Sequence, residues 1–356
     1  MLSVILPTFN EAKIIKKTIF DIQQELNLLD IQYEIIVVDD DSPDKTWQIV
    51  KNLNKKDKRI QLLRRYKNKG LTASILDGFE IATGDYFLVM DADGQHDEKK
   101  ISLMLKEIQN NDLVIGSRYI KGGSIGNWNF FRFFLSRIAT YLSYPLISKK
   151  KITDPMAGFF LIKKSLYEKN KRKLKQNKGF KILLDILFLL DNKVKIKEVP
   201  YKFKTRKVGE SKLNFNVKIL YLKIIFKQYL KVYDTLIKFL IVGFIGLIVN
   251  LTLLFFFIEF LKFNELVASF LAIEFSIINN FLLHNYWTFS LRELKSFILI
   301  RFFKFNLTSF LSMIVNLSVF FVFFKMGIWY IFAQLIGIVC AFFINFIVNT
   351  KWVFQK

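Results

Sequence analysis

Short apolar runs alternate along residues 2–118 with longer segments in which apolar side chains recur at helical spacing. Segments of the second kind predict amphipathic helices over 11–29, 43–56, 70–82 and 97–110. The runs predict buried strands, namely LSVILP (2–7), YEIIVVDD (33–40), IQLLRR (60–65), DYFLVMD (85–91) and DLVIGS (112–117). This alternation predicts an α/β domain with a mostly parallel sheet and helices on both faces.

The pattern changes after Asp234, where four long apolar stretches follow one another, at about 236–258, 266–287, 302–324 and 329–350. Each stretch is long enough to cross the ~30 Å hydrocarbon layer of a bilayer as a helix. The second half of the chain is therefore predicted to be an all-α transmembrane domain.

The apolar half contains an internal repeat. KFLIVGFIGLIVNLTLLFFF (238–257) aligns with KFNLTSFLSMIVNLSVFFVF (304–323), and NNFLLHNYWTF (279–289) aligns with INFIVNTKWVF (344–354). A repeat of this regularity predicts two duplicated helical hairpins.

Two further segments, 128–148 and 215–233, have polar residues along one side of an amphipathic pattern. They are expected to lie in a membrane interface, although ordinary core-facing helices give the same pattern. The predicted domains are a catalytic domain over 1–214, which includes the helix at 128–148, a juxtamembrane helix over 215–234 and the membrane domain over 235–356.

Charge adds an orientation and a partner. The chain carries 53 Lys and Arg against 30 Asp and Glu, a formal net charge of +23, although 52% of it is hydrophobic. Basic residues cluster before the first span, between the second and third, and after the fourth, which predicts a cytoplasmic catalytic domain. Lysines are concentrated at 149–231, just before the spans, and this favours a bilayer surface over nucleic acid, for which no motif is present.

The candidate chemistry lies at the strand ends, where ligands bind in sheets of this kind. Asp91 and Asp93 follow the predicted strand 85–91, and Gln95 is spaced to join them. Hard oxygen ligands suit Mg²⁺ or Mn²⁺, which keep positions open for phosphate oxygens. Two other interpretations stay open: the pair as general acid and base, or Asp93 as a cap of the helix at 97–110.

At this point the sequence resembles the GT-A fold glycosyltransferases of family 2, and among them the dolichol-phosphate (polyprenol-phosphate) mannosyltransferases. The repeated spans resemble the GtrA-like membrane unit that is fused to some members. The matching motifs, in order, are ILPTFNE (5–11), VVDDDSPDKTW (37–47), NKGL (68–71), GDYFLVMDADGQH (84–96), IGSRYIKGG (115–123), DPMAGFF (154–160), GFK (179–181) and GESKL (209–213).

The resemblance implies transfer of mannose from GDP-mannose to a dolichyl or polyprenyl phosphate, with inversion and with Mg²⁺ or Mn²⁺. It implies a guanosine site at Pro7, Phe9, Glu11, Val38 and Asp40, and a metal–diphosphate site at Asp91, Ala92, Asp93 and Gln95. It further implies that Arg118, Lys181, Arg206 and Lys212 surround the donor, and that Arg118, Arg132 and Ser136 hold the acceptor phosphate. The expected catalytic residues are Asp91, Asp93, Arg118 and Arg132.

Departures from the family pattern affect the identity of the sugar. Phe9 stands where Tyr is frequent, Ala157 where Ser or Thr is frequent, and Gly94 replaces a bulkier residue. Transfer of glucose or another sugar to undecaprenyl phosphate is therefore the first alternative. A lipid-carrier flippase with a glycosyltransferase head is the second, while a processive synthase would carry a Q-x-x-R-W motif that this chain lacks. His96 is interpreted as a packing residue or as a support for a neighbouring site residue, rather than as a base. Glu274 within a span indicates a buried partner or a polar cavity, and it is given no role.

Overall fold

The computed structural model describes residues 1–126, 130–147, 152–176, 181–204, 215–294 and 296–355, and for 130–132, 135, 215–221 and 224 it describes only the backbone. The chain divides into two compact units, Met1–Gln228 and Tyr229–Lys356.

The first unit alternates strands and helices. Its strands are β1 (Leu2–Thr8), β2 (Tyr33–Asp39), β3 (Ile60–Arg64), β4 (Tyr86–Val89), β5 (Leu113–Ser117), β6 (Phe160–Lys163) and β7 (Ile196–Pro200). Its helices are α1 (Ile15–Leu28), α2 (Thr46–Lys56), α3 (Leu71–Ile81), α4 (Ile101–Ile108), α5 (Phe130–Ser143), α6 (Lys164–Gln176), α7 (Ile182–Leu189) and α8 (Phe215–Val232), with 3₁₀ turns at Glu98–Lys100 and Tyr144–Leu146.

In the described part of the chain the strands form one sheet in the order β3-β2-β1-β4-β6-β5-β7. Strand β6 runs antiparallel to both of its neighbours, and the other pairs are parallel. The predicted α/β fold with a mostly parallel sheet is confirmed. Strands β6 and β7 were not predicted, because FLIK is only four residues long and IKEVP has a single buried residue, Val199.

The sheet is covered on both faces, as the continuous apolar strands require. One face packs against α1, α2 and α4 through side chains that include Ile19, Val50 and Met104. On the other face α3 approaches closely because residue 78 is glycine: a Cβ there would lie 2.8 Å from Ile5 Cγ2. The two layers fix the carboxyl ends of β1, β2 and β4 at one edge.

The second unit consists of four helices that are long and apolar enough to cross a membrane, Asp234–Glu259, Glu265–Thr288, Ile298–Lys325 and Tyr330–Val353. They are α9 (Asp234–Glu259), α10 (Glu265–Leu283), α11 (Ile298–Lys325) and α12 (Tyr330–Val348), and both α10 and α12 continue into a π-helical turn, His284–Thr288 and Asn349–Val353. Helix α9 packs on α10 and α11 packs on α12, so the sequence repeat corresponds to two hairpins.

Small residues let the helices of each hairpin approach. A Cβ on Gly246 of α9 would clash with the side-chain amide of Asn280 of α10, and a Cβ on Gly337 of α12 would lie 2.5 Å from Asn316 Oδ1 of α11. Pairs of glycine and a polar side chain are typical of helix contacts in lipid, where close packing and interhelical hydrogen bonds replace the hydrophobic effect. Glu274 lies half-buried in the middle of α10.

Candidate active site

The first aspartate of the D-D-D run after β2 is a structural clamp. Asp39 is fully buried and accepts hydrogen bonds from Thr8 Oγ1 (3.0 Å) and from the Ser42 amide and hydroxyl (2.8 and 2.7 Å). It therefore ties the end of β1 to the turn that follows β2.

Asp40, predicted to contact guanosine, is held in a network of its own. Its carboxylate accepts from the Gly70 amide (2.6 Å), the Ser74 hydroxyl (2.9 Å) and the guanidinium of Arg65. Asp40 and Arg65 are both almost fully buried. In this structure Asp40 holds the segment that leads into α3. Its contact with a nucleoside stays a prediction.

The other predicted guanosine residues lie along the ends of β1 and β2. Pro7 and Val38 are buried within these strands. Phe9 is 39% exposed just beyond β1, and Glu11 is buried, with its amide bonded to Thr46 Oγ1 at 3.0 Å. The structure thus collects these residues at one edge of the sheet.

Asp91 follows β4 and lies against the ring of His96, whose Nε2 is 3.2 Å from Asp91 Oδ2. Burial raises the pKa of Asp91, but the hydrogen bond and charge of His96, with two further basic side chains, outweigh burial and lower that pKa to about 2. The two basic side chains are Lys181 and Arg118. Asp91 is therefore an ionised carboxylate in an electropositive setting, which suits a group that meets a cation and a diphosphate.

His96 is a packing residue, as expected. It is 2% exposed, and its ring lies 5.2 Å from Phe159, 5.6 Å from Tyr201 and 5.8 Å from Phe203, measured between ring centroids. His96 is enclosed by these rings, so it holds the Asp91 carboxylate in position. It is too buried to act as a base on a substrate.

Asp93 lies in a tight turn after β4. Its Oδ1 accepts from the amide of Gln95 at 3.1 Å, and Gly94 between them has φ +72°, a value that favours glycine. The Gln95 side chain donates to Lys204 O at 3.0 Å, so its amide is oriented by the segment after β7. The turn presents Asp91 and Asp93 at the same strand exit.

Arg118, at the end of β5, forms a bidentate ion pair with Asp154. Nε and Nη2 donate to the two carboxylate oxygens at 2.7 and 2.8 Å, and Asp154 is 1% exposed. Burial lowers the pKa of the Arg118 guanidinium, but Asp154 outweighs it, and the pKa is raised overall. Glu198 of β7 fixes this loop by accepting from the amides of Thr153 and Asp154 at 3.0 and 3.1 Å.

Gly158 lets the loop before β6 approach Asp91. A Cβ at this position would lie 2.8 Å from Asp91 Oδ2. We predict that Gly158→Ala displaces the carboxylate and lowers catalytic activity about tenfold or more, since ångström-scale misplacement has effects of this size. Gly243→Ala is the matched control, because a Cβ there meets no atom within 4 Å. Initial rates of both variants test this; equal rates would contradict it.

Helix α5 carries the predicted acceptor residues. Ser136 Oγ lies 2.8 Å from the hydroxyl of Tyr119, which follows Arg118. The same helix exposes apolar side chains one and two turns apart, Phe134 (51%), Ile138 (39%) and Tyr141 (57%). This is the amphipathic pattern expected at a bilayer surface. The side chain of Arg132 and the whole of Arg206 and Lys212 lie outside the described residues.

Asp185 in the first turn of α7 is a buried carboxyl that sequence reasoning missed. It is 4% exposed, its Oδ2 has no hydrogen-bond partner, and burial raises its pKa to about 7. Because the folded pKa lies above the unfolded value of 3.8, the protonated form stabilises the fold at low pH, and this stability is lost as pH rises through 7.

We predict that Asp185→Asn removes this loss. Between pH 5 and pH 9 the free energy of unfolding of the wild type should fall by about 3 kcal/mol more than that of the variant, because about two pH units of this range lie below the folded pKa of about 7. Asp191→Asn, an exposed control whose pKa is lowered by backbone hydrogen bonds, should behave like the wild type. Parallel melting curves for wild type and Asp185→Asn would contradict the assignment.

The donor set fits a divalent cation that is completed by substrate. Among the described residues no group of three His, Cys, Asp and Glu side chains is placed to hold a metal on its own. Mg²⁺ in phosphate-transferring sites is bound by one or two carboxylates together with substrate oxygens. Asp91 and Asp93, with the oriented amide of Gln95, meet that description.

A GT-A-like sheet with paired carboxylates at the exit of β4, followed by four apolar helices, defines a glycosyltransferase joined to a membrane unit. Residues 3–170 match the family described as glycosyl transferase family 2, and residues 238–354 match the GtrA/DPMS transmembrane domain. Dolichol-phosphate mannosyltransferase from Pyrococcus furiosus is 38% identical over 352 residues, which are 98% of this chain and 97% of that protein.

The protein of the same name from Saccharomyces cerevisiae is 34% identical over 195 residues, covering 53% of this chain and 72% of that protein. Among solved structures, mannosyl-3-phosphoglycerate synthase from Rubrobacter xylanophilus aligns with a TM-score of 0.46 and 17% identity, over 66% of this chain and 75% of that chain. The chain belongs to the dolichol-phosphate mannosyltransferase family and is a multi-pass membrane protein, which confirms the resemblance noted in the sequence.

Proposed function

We propose that the protein transfers mannose from GDP-mannose to the phosphate of a dolichol or another polyprenol, with inversion, giving a β-linked polyprenyl phosphate mannose. The observation that carries the proposal is the carboxylate pair at the β4 exit, set among basic side chains, in a chain 38% identical to a dolichol-phosphate mannosyltransferase over nearly its whole length.

Asp91 and Asp93 would hold Mg²⁺ or Mn²⁺ together with Gln95. When bound, the cation offsets the charge of the departing nucleoside diphosphate. The positive charges of Arg118 and Lys181, which already act on Asp91, would lower the repulsion between two phosphorylated substrates. Pro7, Phe9, Glu11, Val38 and Asp40 stay the predicted nucleoside residues, and all five lie near the carboxyl ends of β1 and β2.

The acceptor needs no strong general base. A phosphate monoester has a second pKa of about 6 and is already ionised near neutral pH. This agrees with a site whose one histidine, His96, is enclosed by aromatic rings. Ser136, linked to Tyr119 at 2.8 Å, and Arg132 on the same helix would position the attacking phosphate.

The bilayer explains why the enzyme has a membrane unit. The acceptor tail stays in lipid while its phosphate must reach the carboxyl end of a strand. We propose that α5 and α8 lie in the membrane interface, where they help to hold the acceptor. The distribution of basic residues supports a cytoplasmic position for the catalytic domain, the loop between α10 and α11 and the C-terminus.

The test is a donor screen on the full chain in nanodiscs. GDP-mannose, GDP-glucose, UDP-glucose and UDP-N-acetylglucosamine are each offered with dolichyl phosphate and with undecaprenyl phosphate, and the glycolipid product is measured by mass spectrometry. We expect transfer from GDP-mannose that depends on Mg²⁺ or Mn²⁺, and a β-anomer by NMR. Faster transfer from UDP-glucose to undecaprenyl phosphate would replace the proposal with the first alternative.

A further inference from the structure

A lysine–tryptophan pair is repeated at the same end of both membrane hairpins. Lys238 at the start of α9 has its Nζ 5.9 Å from the Trp287 ring, and Lys304 near the start of α11 has its Nζ 5.1 Å from the Trp352 ring. Each indole lies in the π-helical turn that ends its hairpin and is about two-fifths exposed, at 38% and 41%. Tryptophans with this placement mark a membrane–water interface.

The two pairs differ in charge. Asp234 forms an ion pair with Lys238, one helical turn away, at 2.9 Å. The position one turn before Lys304 is Ile300, and the described residues place no carboxylate within ion-pairing distance of Lys304. The first pair is therefore neutralised within its own helix, whereas the second keeps a positive charge at the end of the hairpin.

The second pair also stands at the mouth of an apolar groove. The groove lies between α11 and α12, has a volume of about 490 Å³, and is lined by Leu307, Thr308, Phe310, Leu311, Ile314, Val348 and Trp352. Leu307 lies one turn along α11 from Lys304, and Trp352 belongs both to the groove and to the cation pair. The positive charge and the apolar groove thus share one side chain, Trp352.

We propose that this groove holds a polyprenyl phosphate, with its phosphate at Lys304 and its first isoprene units between α11 and α12. The charge selects an anion, the indole marks the headgroup level, and a groove between two helices suits a single chain. The identity of the lipid rests on the proposed function, because that reaction consumes a polyprenyl phosphate. The site is a second lipid site, separate from the residues that perform transfer.

The topology of the four spans places Lys304 at the face of the membrane where the chain enters the membrane unit. In four consecutive crossings, the starts of α9 and α11 and the ends of α10 and α12 lie at one face. That is the face at which the chain enters the membrane unit after Gln228. A lipid held at Lys304 would therefore have its phosphate in the leaflet at the face where the chain enters the membrane unit.

The experiment uses the full chain in nanodiscs and a C55 polyprenyl phosphate that carries a diazirine in its first isoprene unit. After irradiation, the labelled peptides are identified by mass spectrometry. We expect labels in 307–314 and 348–352, and we expect Lys304→Met to lower that labelling about fivefold, the effect of one basic residue on binding to an anionic lipid surface. Lys304→Arg should restore it, and Lys238→Met is the matched control that should leave it unchanged.

Each other result overturns the proposal. Labels confined to other helices would show that the groove is not occupied, and equal labelling of wild type and Lys304→Met would show that the charge does not select the lipid. Competition by excess phosphatidylglycerol as strong as that by unlabelled polyprenyl phosphate would make the groove a general anionic-lipid site. Failure of the donor screen on every polyprenyl phosphate would instead refute the proposed function, since labelling is read without turnover.

Discussion

Asp93→Asn should lower the rate of mannose transfer by about a hundredfold to a thousandfold, the size of effect seen when one preorganised charge-stabilising group is lost. The fold should survive, because the asparagine carbonyl oxygen can still accept the Gln95 amide hydrogen bond that Asp93 Oδ1 accepts at 3.1 Å. What is lost is one negative charge where the proposal places a divalent cation. Product formation at several Mn²⁺ concentrations measures the effect.

The matched control is Asp85→Asn, which removes one carboxylate from the opposite end of the same strand. Asp85 is exposed, and its partner is the N-terminal amine at 2.9 Å, so the rate should be unchanged. The loss in Asp93→Asn should be largest at limiting Mn²⁺ and partly recovered at high Mn²⁺. Full activity of the folded variant at limiting Mn²⁺ would remove Asp93 from the metal site.

Sequence pattern was sufficient for the part of the fold that depends on local signals. The runs at 2–7 and 33–40 became β1 and β2 because they are continuous, β-branched and bounded by polar residues, as strands covered on both faces must be. The repeat after residue 238 predicted two helical hairpins because a membrane span requires a long apolar helix. In both cases the physical constraint acts within one element, so one sequence displays it.

The residues that hold the site could not be predicted from the sequence, because they are brought together by distant elements. Asp154 and Glu198 are recognised only through the loop and edge strand that bring them to Arg118, and nothing in a single sequence pairs residues that far apart. The D-D-D motif shows a related limit. A carboxylate at a strand end has the same sequence signature whether it meets a ligand or, like Asp39, holds a neighbouring loop.

Arg118→Lys should lower both stability and rate, because lysine cannot reproduce the forked pair with Asp154. Arginine donates two parallel hydrogen bonds there, at 2.7 and 2.8 Å, to a carboxylate that is 1% exposed. Lysine keeps the charge but can replace only one of these bonds. Loss of a hydrogen bond to a buried charged group costs about 2 kcal/mol, and a shifted loop should lower turnover about tenfold to a hundredfold.

Arg59→Lys is the control for the substitution itself. Arg59 makes the same fork with Asp57, at 3.1 and 2.8 Å, but the pair is partly exposed, so the change should cost little. Thermal unfolding and steady-state kinetics are measured for both variants. If Arg118→Lys matches Arg59→Lys in stability and rate, the buried fork does not hold the site.

Asp154→Asn separates the two roles of Arg118. It keeps the guanidinium and removes the carboxylate that neutralises it, so the site becomes more positive while its loop loses an anchor. If Arg118 also acts on substrate phosphates, turnover should fall while the KM for the polyprenyl phosphate stays equal or decreases. If Arg118 only anchors the loop, KM should rise and turnover fall together, as in Arg118→Lys. An increased KM in Asp154→Asn would therefore remove Arg118 from the acceptor site and leave it as a positioning residue.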